Sequence, residues 1–279
     1  MSLQIKASFK KEMLSYFRTK RFWIIALVII GLSVFSPLLI TGMGALVNML
    51  SDVYEEFGMD VSMLTEALGS TSSIGVSSSI SDITGAGLIV MLLLLNMAAG
   101  GEQKKRSVII PRCSGLQSTA YIFPKFIIYP LSGFFLAIIA MMISYPVSVL
   151  VFDVNDVTFL GVLLAGTLSG VCLMFYICFH LALGTATGRA GMSAAICISA
   201  SIILSNIFAF ISIDYMFNPF TLNLMATTML FNDAISGKEA LDIIATVLFA
   251  LGIMLLLYFI ALFAQNARRI DNSGNEIDL

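Results

Sequence analysis

The sequence predicts an all-α integral membrane protein with about six transmembrane helices, both termini cytoplasmic, and an amphipathic interfacial helix at its amino end. Of its 279 residues, 58% are hydrophobic and only 11% charged, which is more apolar surface than a water-soluble fold of this size can cover. Charge-free runs separate Arg21 from Asp52, Asp82 from Glu102, Lys125 from Asp153, Asp156 from Arg189, Arg189 from Asp214 and Asp242 from Arg268. Each exceeds the roughly 18 residues that cross the hydrocarbon core at about 1.5 Å per residue. The charges also segregate. With the amino terminus inside, residues 1–21, 100–125, 184–192 and 265–279 hold 14 of the 15 Lys and Arg residues, and 12 of the 17 acids fall outside. Basic residues set membrane orientation, so this topology is preferred over its inverse.

Along residues 1–21, Ile5, Phe9, Met13, Tyr16 and Phe17 recur at helical spacing, with Lys6, Lys10, Lys11 and Arg18 on the rest of the surface. Such a helix is expected to lie in the headgroup plane, its cations meeting anionic lipid. The basic stretch is too long before its apolar region for a cleaved signal peptide, so the first span, 22–40, is expected to remain, anchored by Trp23. An outer loop over 41–82 follows, with a short acidic helix over 52–68 and a Ser-rich flexible return over 69–81. The second span is 83–99 and the third is 126–152, where Pro130 and Pro146 predict tilt or a kink.

A turn through Val154, Asn155 and Asp156 makes the fourth span, 157–183, an antiparallel neighbour of the third. Gly166 and Gly170 offer it a small face against which another helix can pack. The fifth span is 192–213. Residues 214–242 form a second outer loop, in which the uncharged stretch 215–232 has acidic flanks on both sides and reads as a re-entrant or surface hairpin broken at Asn218-Pro219. The sixth span is 243–264. No segment is long enough to fold apart, so the chain is a single transmembrane domain.

The spans carry no Asp, Glu, Lys or Arg between their flanks, whereas ion-coupled transporters usually hold an ionisable group at depth. His180, Asn96 and Asn206 are expected to bridge neighbouring helices by hydrogen bonds. Cys113, Cys172, Cys178 and Cys197 are expected to pack as small residues, since they are buried in spans or face a reducing compartment. One His with scattered cysteines makes no metal site, and neither a GxSxG elbow nor a GxxxxGK[ST] loop is present. No catalytic residue, cofactor or nucleic-acid partner is therefore expected. Any ATP hydrolysis would belong to another subunit.

The inner connection 100–125 carries Glu102, Lys104, Lys105 and Arg106, then Val108-Ile109-Ile110-Pro111, Ser114-Gly115, and Tyr121-Ile122-Phe123-Pro124-Lys125. A solvated loop would not need so many apolar residues; part of it should lie against the membrane or a partner. Together with Tyr16-Phe17-Arg18-Thr19-Lys20-Arg21 before span one and Phe217-Asn218-Pro219-Phe220 between spans five and six, this loop resembles the permease subunit of an ABC-2 type ATP-binding cassette exporter. The resemblance implies that the loop holds a coupling helix docking on an ATP-binding cassette ATPase subunit. It places the contact at Glu102, Pro111, Arg112, Ser114, Gly115 and Leu116. It also implies a second permease chain, in a homo- or heterodimer. Many members have Gly-Thr where this chain has Arg106-Ser107. Two other readings stay open: an ion-coupled secondary transporter or channel-like protein, and a membrane immunity or sensor protein that binds a peptide at its acidic outer surface.

Overall fold

The computed structural model describes residues 2–56, 71–104, 113, 115–211, 217–231, 237–267, 269–270 and 276–277. They form an all-α bundle: α1 Ser2–Arg18, α2 Arg21–Glu56, α3 Ser72–Gly101, α4 Ser118–Val151, α5 Phe159–Thr187, α6 Ala190–Ile211, α7 Leu222–Phe231 and α8 Gly237–Ala267. A short antiparallel pair, Arg269–Ile270 with Glu276–Ile277, follows. Five helices, α2, α3, α4, α5 and α8, are long and apolar enough to cross a membrane. The remaining predicted span, the fifth (192–213), corresponds to α6, a charge-free helix of 22 residues, or about 33 Å at the usual helical rise.

The helix ends sort into two groups. At one end, Gln4 Nε2 donates to Gly115 O (3.3 Å) and Gln103 Nε2 to Gln265 Oε1 (2.6 Å). Here too a Cβ on Gly100 would fall 2.6 Å from Gly184 O, and one on Gly184 2.5 Å from Ala99 O. Only glycine lets these two backbones touch. The amino-terminal helix, the two described ends of the 102–117 connection, the α5–α6 turn and the end of α8 thus share one side, the basic end. At the other end the α4–α5 connection is latched to α3. Ser72 N donates to Val154 O (2.9 Å), and Asp156 accepts from Ser73 N (2.9 Å), Ser73 Oγ (2.6 Å) and Ser72 Oγ (3.1 Å). Burial acts to raise the Asp156 pKa, but the Ser73 and Ser72 donors outweigh it and hold the carboxyl below its ordinary value.

Three boundaries differ from expectation, each for a physical reason. The first outer loop was expected over 41–82, yet α2 continues to Glu56 and α3 starts at Ser72. The serines expected to make a flexible return instead face the bundle. Ser79 Oγ donates to Gly75 O (3.1 Å), Ser144 Oγ to Ser79 Oγ (2.8 Å), and Ser36 Oγ pairs with Ser78 Oγ (2.6 Å). Intrahelical and interhelical partners satisfy every one of these hydroxyls, which makes Ser compatible with a buried helix. The third span was expected from residue 126, but α4 begins at Ser118 and runs 34 residues through Pro124, Pro130 and Pro146. That is about 51 Å, some 20 Å beyond the roughly 30 Å core. The excess lies at the basic end, where α1 packs.

The third difference is α1 itself. Its contacts climb α4 in order, from Gln4 at Gly115 through Glu12 at Tyr129 to Tyr16 at Ser132, so the two helices run side by side in the same direction. Tyr16 (1% exposed) and Glu12 (4%) form the buried stripe, while Leu3, Met13 and Leu14 are exposed. An acid, not only the apolar face, is turned inward.

Along α5, Gly166 and Gly170 pack against Met141 and Phe134 of α4, the small face anticipated from the sequence. Residues Pro219–Thr221 are set into the bundle. Asn218 Oδ1 caps a single 3-10 turn, Pro219–Thr221, by accepting from Phe220 N (3.1 Å). The Phe220 ring lies 5.3 Å from that of Phe175, deep along α5, whereas Met229 O lies beside Gly161 near the start of α5. Helix α7, of 10 residues, therefore climbs from mid-bundle to the non-basic end. At about 15 Å it is too short to cross.

Candidate functional site

At the basic end the chain buries a knot of charge. Tyr121, Lys125 and Tyr129 recur every fourth residue and so share one face of α4. Lys125 is 1% exposed. Its ammonium donates to Glu102 Oε2 (2.6 Å), to Tyr121 OH (3.0 Å) and to Ala98 O (3.1 Å). These are the three acceptors an ammonium can serve. It also lies over the Tyr121 ring and 3.9 Å from Glu12 Oε1. Tyr121 OH donates to Glu102 Oε2 (2.8 Å) and Tyr129 OH to Glu12 Oε2 (2.8 Å). Lys11, on the exposed side, is 3.9 Å from both carboxylates. Among the described residues, two carboxylates here meet two ammonium groups.

Its members arrive from three places: Lys11 and Glu12 from α1, Glu102 from the end of α3, and Tyr121, Lys125 and Tyr129 from α4. Glu102 follows Met97–Gly101, a π-helical segment at the end of α3. The widened turn of a π segment disturbs the regular carbonyl ladder, and here Ala98 O, within it, is taken by Lys125. Burial acts to raise the Glu102 pKa, but the Lys125 ammonium, with help from Lys11 and Tyr121, outweighs it and holds the carboxyl below its ordinary value. Next door, burial pushes the Tyr16 phenol up to about 12, against the opposing effect of its hydrogen bond with Ser132. The adjacent Gln103–Gln265 bond ties the same turn to α8. One cluster thus joins α1, α3, α4 and α8 where the 102–117 connection begins.

Of the residues singled out for partner contact, Glu102 is the hub of this knot. Gly115 is exposed with φ +85°, the left-handed geometry that turns the chain into α4, and Leu116 is half-buried. Pro111, Arg112 and Ser114 lie outside the described residues. Glu12 and Lys125 were not singled out from the sequence; Lys125, read there as the flank of the third span, sits inside α4, in the part that exceeds the length of the core. A signal for Glu12 existed. It falls on the stripe of Ile5, Phe9 and Tyr16, where a solvated acid does not belong.

A second feature lies toward the other end. An open cavity of about 320 Å³ is lined by α3, α5, α6 and the α7 segment. Ser81, Thr84, Ser201, Asn206, Thr221 and Asn223 face it with no charged residue among the lining, and Asn223 Oδ1 is buried without a donor among the described residues. The π segment Ile83–Gly87 of α3 forms part of the wall. Asn206 donates to Ile202 O one turn back (2.6 Å). His180 Nδ1 pairs with Ser193 Oγ (2.9 Å), joining α5 to α6. Among the described residues no three His, Cys, Asp or Glu side chains gather as a metal site. No known protein family matches the chain, nor does any curated protein or solved structure.

Proposed function

We propose that the chain is the membrane-spanning permease subunit of an ATP-driven exporter, paired with a second permease chain and powered by a separate ATP-binding cassette subunit that docks on the 102–117 connection at the cytoplasmic, basic end. The observation that carries this reading is the Glu12–Lys125–Glu102 knot. A docking loop can drive a transporter only if a push on it reaches the spans rather than being absorbed as local flexing. Glu102 begins that loop, and its carboxylate is fixed on Lys125 of α4 at 2.6 Å, with Glu12 of α1 in the same cluster. Packed bodies linked in this way move as units, which is the mode of most coupled rearrangements. The uncharged polar cavity supplies a place in the membrane for a hydrogen-bonding cargo.

The knot itself is a poor ion-coupling relay. All three ammonium donors of Lys125 are engaged by protein acceptors, which leaves no place on it for a transported ion. The test is co-purification with an ATP-binding cassette subunit co-expressed from the same source, followed by an export assay. Wild-type protein is expected to retain the ATPase, and a neutral linker replacing 111–120 is expected to release it and stop export. If the linker variant keeps both association and export, the reading fails.

A further inference from the structure

We infer that the uncharged cavity between α3, α5, α6 and α7 binds an organic ammonium, a protonated amine on an apolar body, through a wall of hydroxyl lone pairs. Its hydroxyls have no proton left to give. Thr84 Oγ1 donates to Ile80 O (2.7 Å), Ser81 Oγ to Ser77 O (3.2 Å), Ser201 Oγ to Ile198 O (2.8 Å), Thr221 Oγ1 to Asn218 O (2.7 Å) and Thr227 Oγ1 to Leu224 O (2.8 Å). A hydroxyl carries one proton and two lone pairs. Each of these has committed its proton to a backbone carbonyl three or four residues back, and keeps only acceptor capacity for a ligand. Asn206 likewise spends an amide hydrogen on Ile202 O (2.6 Å), and Asn223 Oδ1, in the wall, has no donor among the described residues. The amide hydrogens left on these two residues are outnumbered by the oxygens around them. The cavity therefore presents an excess of acceptors, with no cation among its lining residues to balance them.

Hydrogen-bond polarity selects the occupant. A carboxylate or phosphate brings only acceptors and would meet lone pairs on every side. An alcohol, sugar or amide brings acceptors along with its donors. A primary ammonium brings three donors and no acceptor, and neutral oxygens suffice to replace water around a cation, as carbonyl-lined filters show. With no carboxylate among the lining residues, such binding also stays weak enough for release, which a transported molecule needs. Tyr176 and Phe220, whose rings lie 6.1 Å apart, line the same cavity with Cys172, Ile202 and Leu224. Aromatic rings attract cations, and this apolar surface covers the body of an organic ion, which a bare K+ or Na+ would not use. The volume, about 320 Å³, lies at the small end of ligand pockets and fits one small amine. As a statement about cargo this rests on the exporter reading and deepens it; as a binding site it is measured on the chain alone.

The experiment is equilibrium binding of radiolabelled phenethylamine to the full chain, without any ATPase, in phosphatidylcholine nanodiscs at neutral pH, where the amine is protonated. Empty nanodiscs give the background. Wild-type protein is expected to prefer the amine on the order of tenfold over 2-phenylethanol, which has the same skeleton but one donor and no charge, because charge-assisted hydrogen bonds are the stronger kind. N,N,N-trimethylphenethylammonium keeps the charge and loses every N–H, and should bind on the order of tenfold more weakly than the parent amine. Thr84→Val/Ser201→Ala removes two acceptors with little change of shape and should weaken the amine on the order of tenfold. Thr167→Val, a like change in the separate groove between α5 and α8, should not. Asn223→Asp places a carboxylate in the wall and should tighten the amine by a similar factor; it keeps the test open should the double variant not fold, as melting curves will show. Equal affinity for amine and alcohol overturns the proposal, as does a trimethyl analogue as tight as its parent. So does a folded double variant that binds like wild type, or an Asn223→Asp variant that gains nothing. Displacement of the amine by K+ or Na+ at concentrations below the amine's own Kd would make this an inorganic-cation site and refute the organic ligand. Amine binding together with intact export in the 111–120 linker variant would sink the exporter and leave this site standing, whereas ATPase association without amine binding would do the reverse.

Discussion

Replacing Lys125 with Met removes the buried cation that Glu12 and Glu102 share, while keeping most of the side-chain volume. Glu12, 4% exposed, and Glu102 would then keep, among the described residues, the cation of Lys11, which is 3.9 Å from each. Ala98 O and Tyr121 OH would each lose a donor. Deleting one partner of a buried pair typically costs about 3–5 kcal/mol, whereas exchanging the whole set for neutral groups is often close to neutral. At about 2–4 °C per kcal/mol for a chain of this order of size, the melting temperature in detergent should fall by on the order of 10 °C. The coupled variant is the sharper measurement. Glu12→Gln/Glu102→Gln/Lys125→Met should recover much of the loss, because no uncompensated charge remains. A drop of less than about 2 °C for Lys125→Met, or a triple variant no more stable than it, would refute the claim that the knot is a cooperative unit.

The other sites give their own readouts. Gly184→Ala would push a methyl against Ala99 O and should destabilise by about 1–3 kcal/mol through overpacking, while Gly31→Ala, with nothing near its Cβ, should leave the melting temperature unchanged or slightly raised; equal effects would argue against the backbone contact. Asp156, with its carboxyl pKa lowered in the fold, contributes stability above its unfolded pKa that is lost as pH falls through the folded one. A melting-temperature titration should therefore show an acid limb that Asp156→Asn shortens, and an unaltered limb would remove Asp156 as the latch. Ser193→Ala strips His180 Nδ1 of its partner and should cost about 1–3 kcal/mol, measured by the same melts.

Much of this architecture was legible because membrane insertion is written in long-wavelength features: charge-free runs and the side on which Lys and Arg collect. Gly166 and Gly170 were legible too, since small residues four apart have few other uses in an apolar helix. What escaped were features set by partners far away in sequence. The serines of residues 72–81 look like linker composition until Ser36, Ser144 and Asp156 are placed opposite them. Lys125 looks like an interfacial flank, because its partners lie 23 and 113 positions away, in Glu102 and Glu12, and only Tyr121 and Tyr129 at helical spacing hinted at a shared face.

The charge knot and the polar cavity lie on the same helix, and α3 carries a π segment at each: Ile83–Gly87 at the cavity and Met97–Gly101 at the knot. Such segments are single widened turns within an otherwise regular helix and recur at functional sites. They hold about one residue more than an α-turn, so deleting one residue inside a π segment can return it to α geometry with both flanks in register. The same deletion in the regular stretch between them rotates everything beyond it by about 100°. Gly85, whose Cβ position is empty space, is the place to cut. Deleting Gly85 should leave the melting temperature within a few degrees of wild type, and deleting Leu93, also exposed but in regular helix, should abolish folding by carrying Glu102 away from Lys125. If the chain is the proposed permease and the widened turn serves transport, the Gly85 deletion will fold, still bind the proposed ATPase subunit and fail to export. If it exports normally, the π geometry at the cavity is incidental; if it fails to fold, the segment is not a self-contained turn and the link drawn between knot and cavity along α3 is wrong.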